Sequence, residues 1–259
     1  MSSKPTNVLI TGANRGLGLE MVRQMAEDKG QVKKLFACCR EPSGPKSEGL
    51  QTLAKKHSDI IIIIPMDVSD LDSIKEAAKL IGPQLGAEGL NLLINNAGIV
   101  GDIHSRLQEI APKDVQDVFN VNFMGPLNVI QEFLPHLRAA ATVSGTTGMS
   151  CSKAAVINIS SCMGSITSAM RYDSSVPCVP YRISKVALNM LTVCAAEEMK
   201  KDEILFAVLR PGWVRTEMGG PQGHIDVEES VNGMLEVMAS MSEEHSGAFL
   251  DYKHRTIPW

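Results

Sequence analysis

Val8-Leu9-Ile10-Thr11-Gly12-Ala13-Asn14-Arg15-Gly16-Leu17-Gly18 is the stretch that decides the fold of this chain. Three aliphatic residues in a row read as a buried strand, and the glycines after them read as a tight turn. From Gly16 to Lys29 the apolar residues Leu17, Met21 and Met25 recur every fourth position, which predicts a helix packed by one face. A strand that turns on glycines straight into a helix leaves free backbone N–H groups at the helix start. Those groups and the helix dipole favour a phosphate. The spacing is G-x-x-x-G-x-G and not the general G-x-G-x-x-G, so taken alone the stretch also fits a bare β–α connection.

The same rhythm continues along the chain. Strands are predicted at Val8 to Ile10, Leu35 to Cys39, Ile60 to Ile64, Leu90 to Ile94, Ala155 to Ile159, Ile204 to Leu209 and Gly247 to Tyr252. The isoleucine run Ile60 to Ile64 suits a central parallel strand buried on both faces. Helices are predicted at Ser69 to Ile81, Pro112 to Leu137, Tyr181 to Lys200 and Val227 to Met241. Asp70 or Ser69 can cap the first of these, and Pro112 sits where a first-turn proline is tolerated. Loops fall at Glu41 to Glu48, Thr142 to Lys153 and Cys162 to Pro180. Strands alternating with helices require crossovers between parallel neighbours. The expectation is one domain over residues 1–259: a doubly wound, Rossmann-like α/β fold with a parallel sheet of about seven strands and helices on both faces.

Composition narrows the class. At 259 residues and 44% hydrophobic the chain can bury both faces of a sheet. Its net charge is -4 with scattered lysines and arginines, which argues against a nucleic-acid surface or an anionic membrane as partner. No window reaches the roughly 18 apolar residues of a membrane span, and Met1 to Asn7 lacks a signal-peptide layout. The six cysteines form no C-x-x-C, and the six histidines lack zinc-ligand spacing, so no metal is expected. The cysteines read as reduced thiols of a cytoplasmic protein, with Cys38 and Cys39 pointing to opposite faces of a strand.

The end of the second strand bears on the nucleotide. An NAD site expects an acid there for the ribose 2′-hydroxyl. Here the residues are Cys38-Cys39-Arg40, and the Arg40 fork suits a 2′-phosphate, which Arg15 can also meet. Glu41 could instead neutralise Arg40 as a solvated pair. The charge pattern favours NADP(H).

Tyr181 and Lys185 are four apart at a predicted helix start and share one face. A free tyrosine titrates near ~10, and a neighbouring ammonium favours its phenolate. Asn158-Ile159-Ser160-Ser161 and Asn95-Asn96-Ala97-Gly98 close strands at the carboxyl edge of the sheet, where doubly wound folds bind ligands. Pro211-Gly212-Trp213-Val214-Arg215-Thr216 closes another, and Asn122 lies on an intervening helix. Each has a bland reading by itself: a chance Y-x-x-x-K, a serine cap, an exit turn, a solvated asparagine.

Taken together in this order, T-G-x-x-x-G-x-G, N-N-A-G, the strand-five serine, Y-x-x-x-K and P-G resemble the short-chain dehydrogenase/reductase family over essentially the whole chain. More narrowly, Asn14-Arg15-Gly16-Leu17-Gly18, Cys39-Arg40, Pro211-Gly212-Trp213-Val214, Met218-Gly219-Gly220 and Trp259 are similar to sniffer-type and C-factor-like carbonyl reductases. The resemblance implies Tyr181 as proton donor in reduction, Lys185 as ribose ligand and pKa modulator, Ser161 as carbonyl-orienting donor, and Asn122 as holder of a relay water. It implies that Gly12, Asn14, Arg15, Gly16, Leu17, Gly18, Arg40, Asp67, Val68, Asn95, Ala97, Gly98, Pro211, Val214 and Thr216 border NADP(H), with Asp67 and Val68 at the adenine and Asn95 against the adenosine half. Val214 and Thr216 would meet the carboxamide. The substrate would be a small-molecule aldehyde, ketone or quinone.

Ser161 and Tyr181 lie twenty positions apart, longer than the family pattern, so the Cys162 to Pro180 loop is expected to wall the substrate mouth. The short Glu217 to Ile225 segment suggests an open cleft. The helices Pro112 to Leu137 and Tyr181 to Lys200 are those the family pairs, which points to a homodimer, although their apolar positions also suit a core. A reductase of hydroxysteroids or acyl intermediates stays open. A nucleotide sensor without chemistry would be expected to have lost Tyr181 or Lys185, and both are present.

Overall fold

The computed structural model describes residues 5–28, 32–169 and 176–259. Its strands are β1 (Asn7–Thr11), β2 (Lys34–Cys39), β3 (Ile61–Pro65), β4 (Leu92–Asn95), β5 (Ala155–Ile159), β6 (Leu205–Arg210) and β7 (Phe249–Asp251). They form one seven-stranded sheet in the order β3-β2-β1-β4-β5-β6-β7, with every neighbouring pair parallel. The direction of winding reverses between β1 and β4, so a crevice opens at their carboxyl ends.

Helices α1 (Gly16–Glu27), α2 (Glu48–Lys56), α3 (Leu71–Leu85), α4 (Pro112–Phe119), α5 (Gly125–Val143), α6 (Ile166–Ala169), α7 (Val179–Glu198) and α8 (Val227–Ser240) complete the fold. One core joins Val8 and Ile10 of β1 to Met21 of α1, Leu50 of α2 and Met234 of α8. The other joins Leu9 and Phe36 to Ile74 of α3, Phe133 of α5 and Ala196 of α7. Alternate residues of one strand feed opposite cores, as the pleat requires. Cys38 and Cys39 follow this rule, one on each face, and both are reduced.

Some expectations change. The Ile60 to Ile64 run is not a central strand: β3 lies at the sheet edge, with Ile61 and Ile64 buried and Ile62 and Ile63 half-buried. Pro65 ends it, which an edge tolerates because no further strand needs its N–H. Helix α2 was not legible beside the Pro-Gly-Ser loop, since Leu50 is its single fully buried side chain. The first helix ends at Glu27, and Lys29 lies outside the described residues. Asp70 caps α3, accepting from the N–H of Asp72 at 2.9 Å.

The expected Pro112 to Leu137 helix is broken. Between α4 and α5, Asn120–Met124 form a π turn. Pro126 has no N–H, so the α-helical bond to the Asn122 carbonyl cannot form and the helix widens around it.

Candidate active site

The glycine turn is held from β4. Thr11 Oγ1 accepts from the backbone N–H of both Asn96 and Ala97 at 3.0 Å, and Asn96 Nδ2 donates to the carbonyls of Thr11 (2.9 Å) and Gly12 (3.1 Å). Gly12 has φ +64, and a Cβ there would lie 2.9 Å from Ala97 Cα. A Cβ on Gly18 would meet the Gly12 carbonyl oxygen well inside contact distance and Asn96 Nδ2 at 2.7 Å. The turn therefore admits no larger side chain at either place. Arg15 precedes α1 without a side-chain cap, so the first N–H groups of that helix remain available. Leu17 faces inward against the core.

The cationic rim is more crowded than the sequence reading anticipated. Arg15 pairs with Glu217, and Lys46 reaches the same carboxylate at 3.0 Å. Asn14 Nδ2 lies 3.4 Å from the Lys46 carbonyl. Arg40 is exposed at the end of β2, and no ion pair joins it to Glu41 among the described residues. Lys46 and Glu217 carried no signal in any motif. On the far side, Asp67 Oδ1 accepts from the N–H (2.9 Å) and hydroxyl (2.6 Å) of Ser69, while Val68 is buried against Gly125.

Asn95 is 3% exposed; its Nδ2 donates to its register partner Asn158 Oδ1 at 2.8 Å, and its own Oδ1 is buried without a hydrogen-bond partner among the described residues. Asn158 in turn donates to Thr192 on α7 at 2.8 Å. This chain of amides ties the ends of β4 and β5 to the helix that carries Tyr181 and Lys185.

Around Tyr181 the predicted residues converge. Cys178, in a left-handed conformation at φ 43, turns the chain into α7, and Pro180 follows in the first helical turn. Ser161 caps its own turn by accepting from the N–H of Met163 at 3.1 Å. Burial pushes the Tyr181 phenol up to about 12, and a hydrogen bond from Ser161 opposes that shift. Ser160 instead turns into α7 and donates to Asn189 Oδ1 at 2.8 Å. Lys185 Nζ lies 5.7 Å from the Tyr181 ring centre and donates to the Ile159 carbonyl at 2.9 Å. Burial pulls the Lys185 ammonium down to about 8.

Asn122 is fully buried and fully engaged. Its Oδ1 accepts from the Ile99 N–H (2.9 Å), and its Nδ2 donates to the Ile99 carbonyl (2.8 Å) and Ser184 Oγ (3.1 Å). Ser184 Oγ donates to the Tyr181 carbonyl at 2.7 Å. Gly98 lies between them: a Cβ there would sit 3.3 Å from Asn122 Oδ1 and 3.8 Å from Lys185 Nζ. Asn122 thus docks the segment after β4 onto the start of α7.

The segment after β6 closes the other side. Pro211 is held by Ser230 Oγ at 2.6 Å, and buried Val214 pairs with Ile225. Thr216 Oγ1 accepts from the Gly219 N–H at 3.0 Å, and its methyl lies 3.7 Å from a Cβ built on Gly16. Trp213 stacks against His224 at 4.7 Å and donates to the Gly219 carbonyl at 2.8 Å, which folds the Glu217 to Ile225 segment back on itself. The expected Cys162 to Pro180 wall contains α6, and its residues 170–175, Tyr172 among them, lie outside the described residues.

Residues 6–226 match the family described as short chain dehydrogenase. The chain is a short-chain dehydrogenase. This dehydrogenase is similar in structure to the NADPH-bound carbonyl reductase from chicken fatty liver, with a TM-score of 0.91 and 42% identity over 99% of this chain and 100% of that one. It is similar to the carbonyl reductase Sniffer of D. melanogaster, with a TM-score of 0.92 and 31% identity over 98% and 100% of the two chains. The C-signal protein of Myxococcus xanthus is 35% identical over 170 residues, which are 66% of this dehydrogenase and 93% of its relative. Among the described residues no helix is long and apolar enough to cross a membrane.

Proposed function

We propose that this dehydrogenase is an NADPH-dependent carbonyl reductase. The observation that carries the reading is the meeting of the turn after Ser161, at the carboxyl end of β5, with the start of α7, where Lys185 Nζ stands 5.7 Å from the Tyr181 ring centre. The residues present fit the dinucleotide. The α1 start is uncapped, the turn beneath it is lined by Gly12 and Gly18, and Asn14, Arg15, Arg40 and Lys46 supply donors where an acid would select NAD. The similar chicken carbonyl reductase is bound to NADPH, which supports the same choice. Arg40 would hold the 2′-phosphate, and Asp67 and Val68 would border the adenine.

When bound, the nicotinamide supplies the hydride. Ser161 orients the substrate carbonyl by donating to its oxygen, and Tyr181 gives its proton to that oxygen as charge develops. Burial keeps the phenol protonated across the neutral range, which suits it to donate. Lys185 stands beside the ring, and its ammonium stabilises the phenolate that proton donation leaves behind. The Asn122 side chain is spent on Ile99 and Ser184, so a relay water would be held by main-chain groups of the π turn.

The test is titration with NADPH and NADH, followed by a panel of aldehydes, ketones and quinones against wild type and Tyr181→Phe. Preferential NADPH binding with turnover abolished in the variant is the expected result. Tight binding without turnover on any carbonyl would favour a nucleotide sensor. Ile183, Met190 and Val193, exposed along α7, support the homodimer reading, which sedimentation at micromolar concentration checks. The six free thiols support a reducing, cytoplasmic setting.

A further inference from the structure

The chain does not stop at the sheet edge after β7. Asp251 accepts from the N–H of Lys253 (2.9 Å) and Arg255 (3.0 Å) and pairs with the Arg255 guanidinium, and His254 takes φ 60. These bonds reverse the chain. Leu250 and Thr256 form an antiparallel bridge, and the Ile257 N–H donates to the Phe249 carbonyl at 2.8 Å. Ile257 joins Val208 and Phe249 in a small apolar cluster of its own. Trp259 then lays its ring on Phe249, with centroids 5.4 Å apart and planes tilted by 30°.

The main-chain oxygen of Trp259 accepts from the Thr167 N–H at 2.8 Å. Thr167 belongs to α6, which begins five residues after Ser161. The turn before α6 is fixed to α7: Asn189 Nδ2 donates to the Gly164 carbonyl at 3.0 Å, and a Cβ on Gly164 would lie 3.0 Å from Lys185 Cβ. Beyond Gly164 the support changes. The bonds between Ser165 and Ser168 are internal to the segment. Among the described residues, the Trp259 contact is the one hydrogen bond that ties Ile166–Ala169 to a distant part of the chain. A helix of four residues has no stability of its own and takes its position from such contacts.

We propose that Trp259 is a positioning residue for the carbonyl substrate: anchored on Phe249, it fixes α6, the short helix that begins five residues after Ser161. The side chain acts through the main chain, since the ring stack decides where its own carbonyl oxygen lies. Among the described residues no hydrogen bond or ring contact joins Trp259 to Ser161, Tyr181 or Lys185, and β7, on which it rests, lies at the sheet edge three strands beyond β4. Its effect therefore falls on carbonyl binding and leaves the nucleotide site alone. This inference rests on the carbonyl-reductase reading.

The test compares wild type, Trp259→Ala and Trp259→Phe. The readouts are NADPH binding by fluorescence titration, kinetics with 9,10-phenanthrenequinone, and hydrogen exchange of the segment containing Thr167. Trp259→Ala is expected to raise KM for the quinone about tenfold, with kcat and NADPH affinity within about threefold of wild type. It is also expected to lose protection at Thr167, and Trp259→Phe is expected to restore both KM and protection. Unchanged KM and unchanged protection in Trp259→Ala would overturn the proposal, as would a Trp259→Phe variant that folds but behaves like the alanine form. If wild type reduces no quinone, the functional reading fails, and exchange at Thr167 still decides whether Trp259 fixes α6.

Discussion

Lys185 Nζ stands 5.7 Å from the centre of the Tyr181 ring while donating to the Ile159 carbonyl, so a buried cation and a buried phenol share one enclosure. Their titrations are displaced in opposite senses. Burial brings Lys185 down to about 8 from 10.5 and takes Tyr181 up to about 12 from 10.0. Between pH ~8 and ~10.5 the unfolded chain holds a lysine proton that the folded chain has released, so this group makes stability rise with pH. Above pH ~10 the folded chain holds the tyrosine proton that the unfolded chain has lost, and stability falls. Urea unfolding from pH 7 to 9.5 is expected to show the rise in wild type relative to Lys185→Met, about 2 kcal/mol over this range. Burial raises the titrations of Cys38 and Cys151, which opposes the rise equally in both proteins, so identical wild-type and Lys185→Met profiles would count against the depressed lysine.

The two serines divide the work. Ser161→Ala is expected to lower kcat about 10²- to 10³-fold, the effect of losing one donor to a developing oxyanion. Ser160→Ala leaves Asn189 Oδ1 without its donor and is expected to cost about 1 kcal/mol of stability with a small change in kcat. Kinetics and thermal unfolding of both variants separate the roles. Turnover abolished by Ser160→Ala and spared by Ser161→Ala would reverse the assignment.

Gly18→Ala tests the turn. Its new methyl has no room between the Gly12 carbonyl and Asn96, so either the turn opens or the helix start moves. The expected outcome is a loss of about 1–3 kcal/mol in stability, together with NADPH affinity too weak to saturate at millimolar concentration. Calorimetry of the variant with and without NADPH measures both.

Arg40 and Arg15 are unequal. Glu217 already occupies Arg15, whereas Arg40 has no ion-pair partner among the described residues. Arg40→Ala is therefore expected to weaken NADPH by about 10- to 100-fold, the worth of a charge-assisted bond, with NADH nearly unchanged. Arg15→Ala is expected to do less. Equal losses for NADPH and NADH in Arg40→Ala would move the 2′-phosphate elsewhere.

Much of this was legible in the chain. β5 falls where its run of apolar residues put it, and the end of β5 that carries Ser161 meets the start of α7 that carries Tyr181 and Lys185, as a doubly wound sheet requires. Other features were not. The apolar character of Ile60 to Ile64 reports burial, but sheet order decides which strand is at the edge. Asn95 faces its neighbouring strand because side-chain direction at a strand end depends on register, which no motif states. The π turn had a readable cause in Pro126, four residues after Asn122, that periodicity alone passes over. The convergence of Arg15 and Lys46 on Glu217 joins residues about 200 and 170 positions apart, and charge by itself says nothing about such partners.

β3 carries a further consequence. Its outer side offers a row of unpaired main-chain groups on four isoleucines and a proline, and α2 packs across its face. Edge strands of this composition are templates for pairing with another chain. Helix α2 is short, with Leu50 its single fully buried side chain, so it is expected to open before the sheet does. Lifting of this small helix is then expected to bare the isoleucine ribbon to a second copy, so the turbidity of a concentrated solution of Leu50→Ala should rise faster than that of wild type well below the melting temperature.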